Sequence, residues 1–163
     1  GLTIGDRPMN LFGSADASGR RTAFTGTVRV AAPDGPICYF HDLDFTGDGS
    51  GVGVSASSRF WAENCAFTNW KTGVLGYGDV WVNVIGCHLA DNQVGLHFNS
   101  TGQSANHSLY NDNVFRNNGT AVLLERVPTE ETLNFQGCRF TGNGTDIDNR
   151  CGHSLEIAQA VFE

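Results

Sequence analysis

Five side chains offer the chemistry most easily read from this sequence: His97, Glu125, Asp146, Asp148 and Arg150. A base beside a guanidinium could take the proton next to a uronate carboxylate and steady the charge that develops, which is the work of a polysaccharide lyase. Glu125 and Asp148 could instead flank a glycosidic bond, where a hydrolase needs two carboxylates ~5–9.5 Å apart. The catalytic set is then Asp148, Arg150, Glu125 and His97. Asp146 and Asp148 are the expected metal ligands, because Ca²⁺ takes oxygen donors, although no cofactor is demanded. A purely structural arrangement competes with all of this and is preferred. It has Glu125 and Arg150 in one column on neighbouring strands, forming a cross-strand ion pair.

A second group suits sugar binding. Trp61 and Trp81 face outward in the strand register, and Trp70 falls in a loop. Exposed aromatic rings stack on sugar faces and anchor interfaces. Tyr77, His97 and Asn99 share the outward strip of the acid–base patch and complete the expected carbohydrate-binding set. Residues 99–106 make the longest insertion and would rise beside His97, as a binding edge. Cys65, Cys87 and Cys138 fall in an inward column, where thiols act as small hydrophobes and not as nucleophiles.

Composition narrows the setting. A net charge of −7, with one lysine against nine arginines, disfavours nucleic acid, which needs clustered cations. No apolar run approaches the ~20 residues of a membrane span. Twenty-one glycines, with abundant Asn, Asp, Ser and Thr, favour turns over helix interiors. Five cysteines without a CxxC pair suggest neither a zinc knuckle nor a disulfide framework. The Asn-x-Ser/Thr triplets at Asn99, Asn106, Asn118 and Asn143 read better as turn formers than as glycan sites. The abrupt start at Gly1 suggests a mature or excised piece of a larger protein.

These residues must be positioned by a repeat. Phe45, Phe67, Leu89, Phe115, Phe140 and Phe162 close similar segments, spaced by 22, 22, 26, 25 and 22 residues. Seven and five residues before each stand apolar pairs such as Cys38 and Phe40, Phe60 and Ala62, Val82 and Val84. A further inward pair follows, as Val52 and Val54, Val74 and Gly76, Leu96 and Phe98, Val122 and Leu124. Steps of two mark one face of a strand. Asp42, Asn64, Gly86, Asp112, Gly137 and Gln159 occupy the point where the step changes, and Asn, Asp and Gly best tolerate a left-handed corner. The sequence therefore predicts an all-β single domain of six to seven coils, each with three short strands, stacked as three parallel sheets. Residues 1–27 read as an irregular first coil or cap and 28–163 as regular coils. The last coil, ending at Phe162, would expose apolar groups and could associate end to end with another copy.

The runs Asn113, Phe115, Asn118, Ala121, Val122, Leu124 and Cys87, Leu89, Asn92, Gly95, Leu96 resemble the repeat unit of bacterial secreted β-helix proteins in the pectate-lyase-like superfamily. The resemblance covers about residues 28–163 and implies a right-handed parallel β-helix, with a working groove along the sheet that carries His97 and Asp148. It also implies a location outside the cytosol, extracellular or at the cell surface, and a polysaccharide or surface glycan as partner. The Asn-Thr-Asp, Gly-His-Gly and Arg-Ile-Lys signatures of polygalacturonase-like members are missing, as is the Asp-Pro-His of C5-epimerases. The preferred expectation is thus a non-catalytic glycan-contact or adhesion module. The alternatives are a lyase or hydrolase acting on an acidic polysaccharide, and a structural spacer or phage-tail-like scaffold.

Overall fold

The computed structural model describes residues 1–33, 36–80, 82–100, 109–127 and 132–163. Among these residues every regular element is a strand, and every paired strand runs parallel to its neighbours. The first sheet stacks seven strands: β1 (Leu2–Ile4), β4 (Val28–Val30), β7 (Val52–Ala56), β10 (Thr72–Gly78), β13 (Val94–Ser100), β15 (Thr120–Arg126) and β18 (Thr145–Asn149). The second holds β2 (Leu11–Phe12), β5 (Cys38–His41), β8 (Phe60–Glu63) and β11 (Val82–Ile85), then the pair β16 (Leu133–Asn134) and β19 (Leu155–Glu156). Leu109 and Tyr110 bridge its two parts, since Val84 N donates to Leu109 O and Tyr110 N to Asn134 O. The third sheet again has seven strands: β3 (Ala23–Phe24), β6 (Asp44–Thr46), β9 (Ala66–Thr68), β12 (His88–Ala90), β14 (Val114–Arg116), β17 (Arg139–Thr141) and β20 (Val161–Phe162). The chain is a parallel β-solenoid of seven coils.

Each coil turns its first corner at one residue. Asp42, Asn64, Gly86, Asp112, Gly137 and Gln159 all have φ between 50° and 68°, the left-handed region in which Asn, Asp and Gly are least strained. A second left-handed column, Asn69, Asp91, Asn117 and Gly142, turns the chain out of the third sheet. The residue after it points inward. Asn92, Asn118 and Asn143 form a ladder there: each side-chain oxygen accepts the backbone N–H of its counterpart one coil earlier, and each Nδ2 donates to a strand carbonyl at 2.8–3.1 Å. Amides satisfy corner backbone groups that the strand ladders leave behind.

Apolar columns fill the space between the sheets. Phe24, Phe45 and Phe67 stack along the third sheet, as do Phe115, Phe140 and Phe162, with centroids 4.8–5.4 Å apart and Leu89 between the two runs. Cys65, Cys87 and Cys138 are buried in their expected column. Burial pushes the Cys138 thiol up to about 11, and its Sγ donates to Tyr110 O.

One register expectation is corrected. Val54 stands opposite Val74, and Ala56 opposite Gly76, so Val52 sits a step earlier, against Thr72. The turn before β7, with Gly49 and Gly51 both at positive φ, adds two residues to that coil. At the far end Ile157, Val161 and Phe162 are exposed.

Candidate functional site

The first-sheet strip that the sequence singles out is present, but its charges mostly answer one another. Arg29, Ser55, Leu75, His97, Leu123 and Asp148 form its central outward column. His97 Nε2 lies 2.7 Å from Glu125 Oε2. Arg150 donates from Nε and Nη2 to Asp148 Oδ2 at 2.9 and 2.6 Å, and this contact raises the arginine further above its usual value. The expected Glu125–Arg150 pair is therefore not formed. A shift in register after Phe98 sets Asn99 opposite Arg126, whose Nε donates to Asn99 Oδ1, and Glu125 reaches back to His97. Tyr77 stands beside Asn99, and the Ser57 hydroxyl, with Ser55 and Arg29, draws its phenol below the ordinary value.

The proposed metal ligands are also engaged within the chain. Asp146 Oδ1 accepts from Asn143 Nδ2 at 3.0 Å, and Asp148 is held by Arg150. Ca²⁺ takes six to eight oxygens. Among the described residues no group of three or more His, Cys, Asp or Glu is arranged to hold a metal ion.

Trp70 does not offer a sugar-stacking surface. It is 4 % exposed and fills the ladder position that asparagine holds in later coils, its Nε1 donating to Phe45 O at 3.0 Å, as Asn92 Nδ2 does to Phe67 O. Trp81 and most of the 99–106 insertion lie outside the described residues.

Trp61 is where the structure gathers a binding surface. On the outer face of the second sheet it is flanked by Tyr39 one coil earlier and Asn83 one coil later. Tyr39 meets Trp61 edge to face at 6.1 Å and Phe12 at 5.7 Å, and Phe12 is 67 % exposed. A groove of about 630 Å³ opens beside them, with Pro8 and Pro36 on its walls and Asn10, Tyr39, Trp61 and Glu63 presented to it. Tyr39 Oη donates to Glu63 Oε2 at 2.8 Å. Burial, then the hydrogen bond to this carboxylate, pushes the phenol up to about 12, so Tyr39 remains a donor and Glu63 an acceptor. The sequence reading found Trp61 but missed Tyr39, Glu63, Asn10 and the prolines. The signal was available, because Tyr39 lies six residues before Phe45 just as Trp61 lies six before Phe67.

Rings with one polar edge, rigid proline walls and a fixed carboxylate make a surface that can stack on a sugar ring and bond its hydroxyls. Among the described residues the groove brings no second carboxylate opposite Glu63 and no arginine. A family model described as the right handed beta helix region matches residues 18–162. No curated protein and no solved structure matches significantly.

Proposed function

The chain belongs to the right-handed β-helix family, and we propose that it serves as an extracellular or cell-surface module that contacts a polysaccharide without cutting it. The observation that carries this reading is the groove along the second sheet, lined by Tyr39, Trp61, Asn10 and Glu63, with the exposed Phe12 ring packed edge to face on Tyr39. Its occupant is a neutral glycan segment, since Glu63 is the one acid lining the groove among the described residues and would repel uronates. The strands beneath are buried and hydrogen-bonded on both sides, so the surface is set before the ligand arrives and little ordering opposes binding.

Catalysis on the first sheet is the second reading, and the His97–Glu125 contact of 2.7 Å is what favours it. The two readings separate in one experiment. Binding and turnover on a glycan panel are measured for the wild type, Trp61→Ala and Asp148→Ala. Truncating an aromatic hot spot costs about 2 kcal/mol, or ~30-fold in Kd. A loss of that order with Trp61→Ala alone, and no product release, supports the recognition module. Product release that Asp148→Ala abolishes would replace it with an enzyme.

A further inference from the structure

A second groove, of about 460 Å³, lies on the outer face of the third sheet, and its chemistry is the opposite of the first. Ala66 and Ala90 make its floor, beside Thr68, because the register sets them against the larger His88 and Arg116 on adjoining coils. Arg21 closes one end. Its guanidinium is already neutralised, paired with Asp44 and donating to Asn64 O. At the other end of the face Arg139 is paired with Glu163. The side chains of Arg116 and His88, both exposed, form no hydrogen bond or ion pair among the described residues.

Two unanswered donors therefore point at one small-floored groove on a protein whose net charge is −7. We infer that this groove binds an anionic substituent, carboxylate or sulfate ester, carried on a polysaccharide. The Arg116 fork matches two oxyanion oxygens at once. His88 supplies a further N–H, and Thr68 a hydroxyl that also lies 3.5 Å from the Thr46 hydroxyl. The alanine floor lets a sugar ring approach the sheet closely. Apart from Arg21, the lining residues come from three successive coils, a span of about 10 Å at ~4.8 Å per strand, so a short run of the polymer fits rather than a lone ion. Nucleic acid fits poorly, since strong phosphate binding rests on several released counterions and this face offers the single guanidinium of Arg116 within an acidic molecule. The inference shares with the proposed function the reading of the molecule as a glycan-contact module, but it uses a different face and different residues.

The test uses one backbone in three charge forms: plain dextran, carboxymethyl-dextran and dextran sulfate oligomers, with a single-stranded DNA oligomer as the fourth probe. The wild type binds a charged dextran, whichever anion it carries, more tightly than the plain one. Replacing Arg116 and His88 together with glutamine weakens that binding by ~10-fold or more, the scale of one charge-assisted hydrogen bond, and flattens its salt dependence. Trp61→Ala leaves it unchanged, which separates failure here from failure of the aromatic groove. The carboxymethyl and sulfate arms identify the anion. Equal binding of plain dextran, indifference to the double substitution, no binding of either charged form, or tighter binding of DNA would each overturn the inference.

Discussion

Asn118→Ala tests whether the buried asparagine ladder, rather than apolar stacking alone, holds the coils in register. Asn118 is 2 % exposed and makes four side-chain hydrogen bonds. Two of its partners keep an alternative when the amide is removed: Asn92 Nδ2 still reaches Phe67 O, and Asn143 Oδ1 still accepts the backbone N–H of residue 118. Two others are affected directly. The Asn92 backbone N–H, which donates to Asn118 Oδ1 at 3.1 Å, loses its acceptor inside a corner with no route to water. Leu89 O loses a donor at 2.8 Å. An orphaned buried donor costs ~1–3 kcal/mol and an ordinary lost bond ~0.5–1.5, so the substitution destabilises by about 2–4 kcal/mol. For a chain of this length that corresponds to a fall in Tm of about 4–16 °C. Because a solenoid can unfold coil by coil, the global measurement is paired with amide exchange, in which Asn92 N–H loses protection before its strand neighbours do. A destabilisation below ~0.5 kcal/mol with Asn92 still protected would refute the reasoning and leave the phenylalanine stacks to set the register.

The other expectations concern packing and titration. A Cβ at Gly47 would lie 2.4 Å from Asn69 O and 2.5 Å from the Trp70 ring, so Gly47→Ala forces backbone and indole apart. A loss of about 1–3 kcal/mol and a shifted tryptophan emission are expected, read by denaturant titration followed by fluorescence. The Tyr39 phenol is pushed up to about 12 and that of Tyr77 is drawn below the ordinary tyrosine value, so absorbance against pH shows the two as separate steps, and Tyr39→Phe removes the one near pH 12. The sign for stability follows: Tyr39 is raised in the folded state, so its contribution is whole below the unfolded value of ~10 and is lost as pH climbs through about 12. Stability that does not fall more steeply above pH ~10 in the wild type than in Tyr39→Phe would show that the phenol is not held by Glu63.

The coil architecture was legible because it rests on single residues whose physics is local. A left-handed corner selects Asn, Asp or Gly wherever it occurs, and all six corner positions read from the sequence have positive φ. The same reasoning applied two residues after each phenylalanine would have found Asn69, Asp91, Asn117 and Gly142, and with them the ladder at Asn92, Asn118 and Asn143. That column was hidden by its first member, Trp70, which fills the position with a different side chain and the same donated hydrogen bond. Register slipped where turn length changed: the glycine turn before β7 displaced Val52, and the shift after Phe98 redirected Glu125 from Arg150 to His97. A count along the chain cannot see such insertions, because each conserves the apolar alternation on either side.

The binding surfaces were less legible for a different physical reason. An acidic, basic or aromatic residue is conspicuous in a sequence, but its availability depends on what stands across the neighbouring coil. Asp148 and Arg150 are conspicuous together and satisfy each other at 2.6–2.9 Å. Arg116 and His88 are unremarkable in the sequence, yet the small residues Ala66 and Ala90 set beside them leave a hollow, over which both side chains are unpaired among the described residues. Tyr39 gains its role only because Trp61 and Phe12 flank it and Glu63, one coil on, accepts its hydrogen bond. In a solenoid the ligand-facing chemistry belongs to columns rather than to segments. On the proposed reading, two faces with opposite charge, one aromatic with Glu63 and one cationic with Arg116, would meet neutral and anionic stretches of a polymer on different sides of one solenoid.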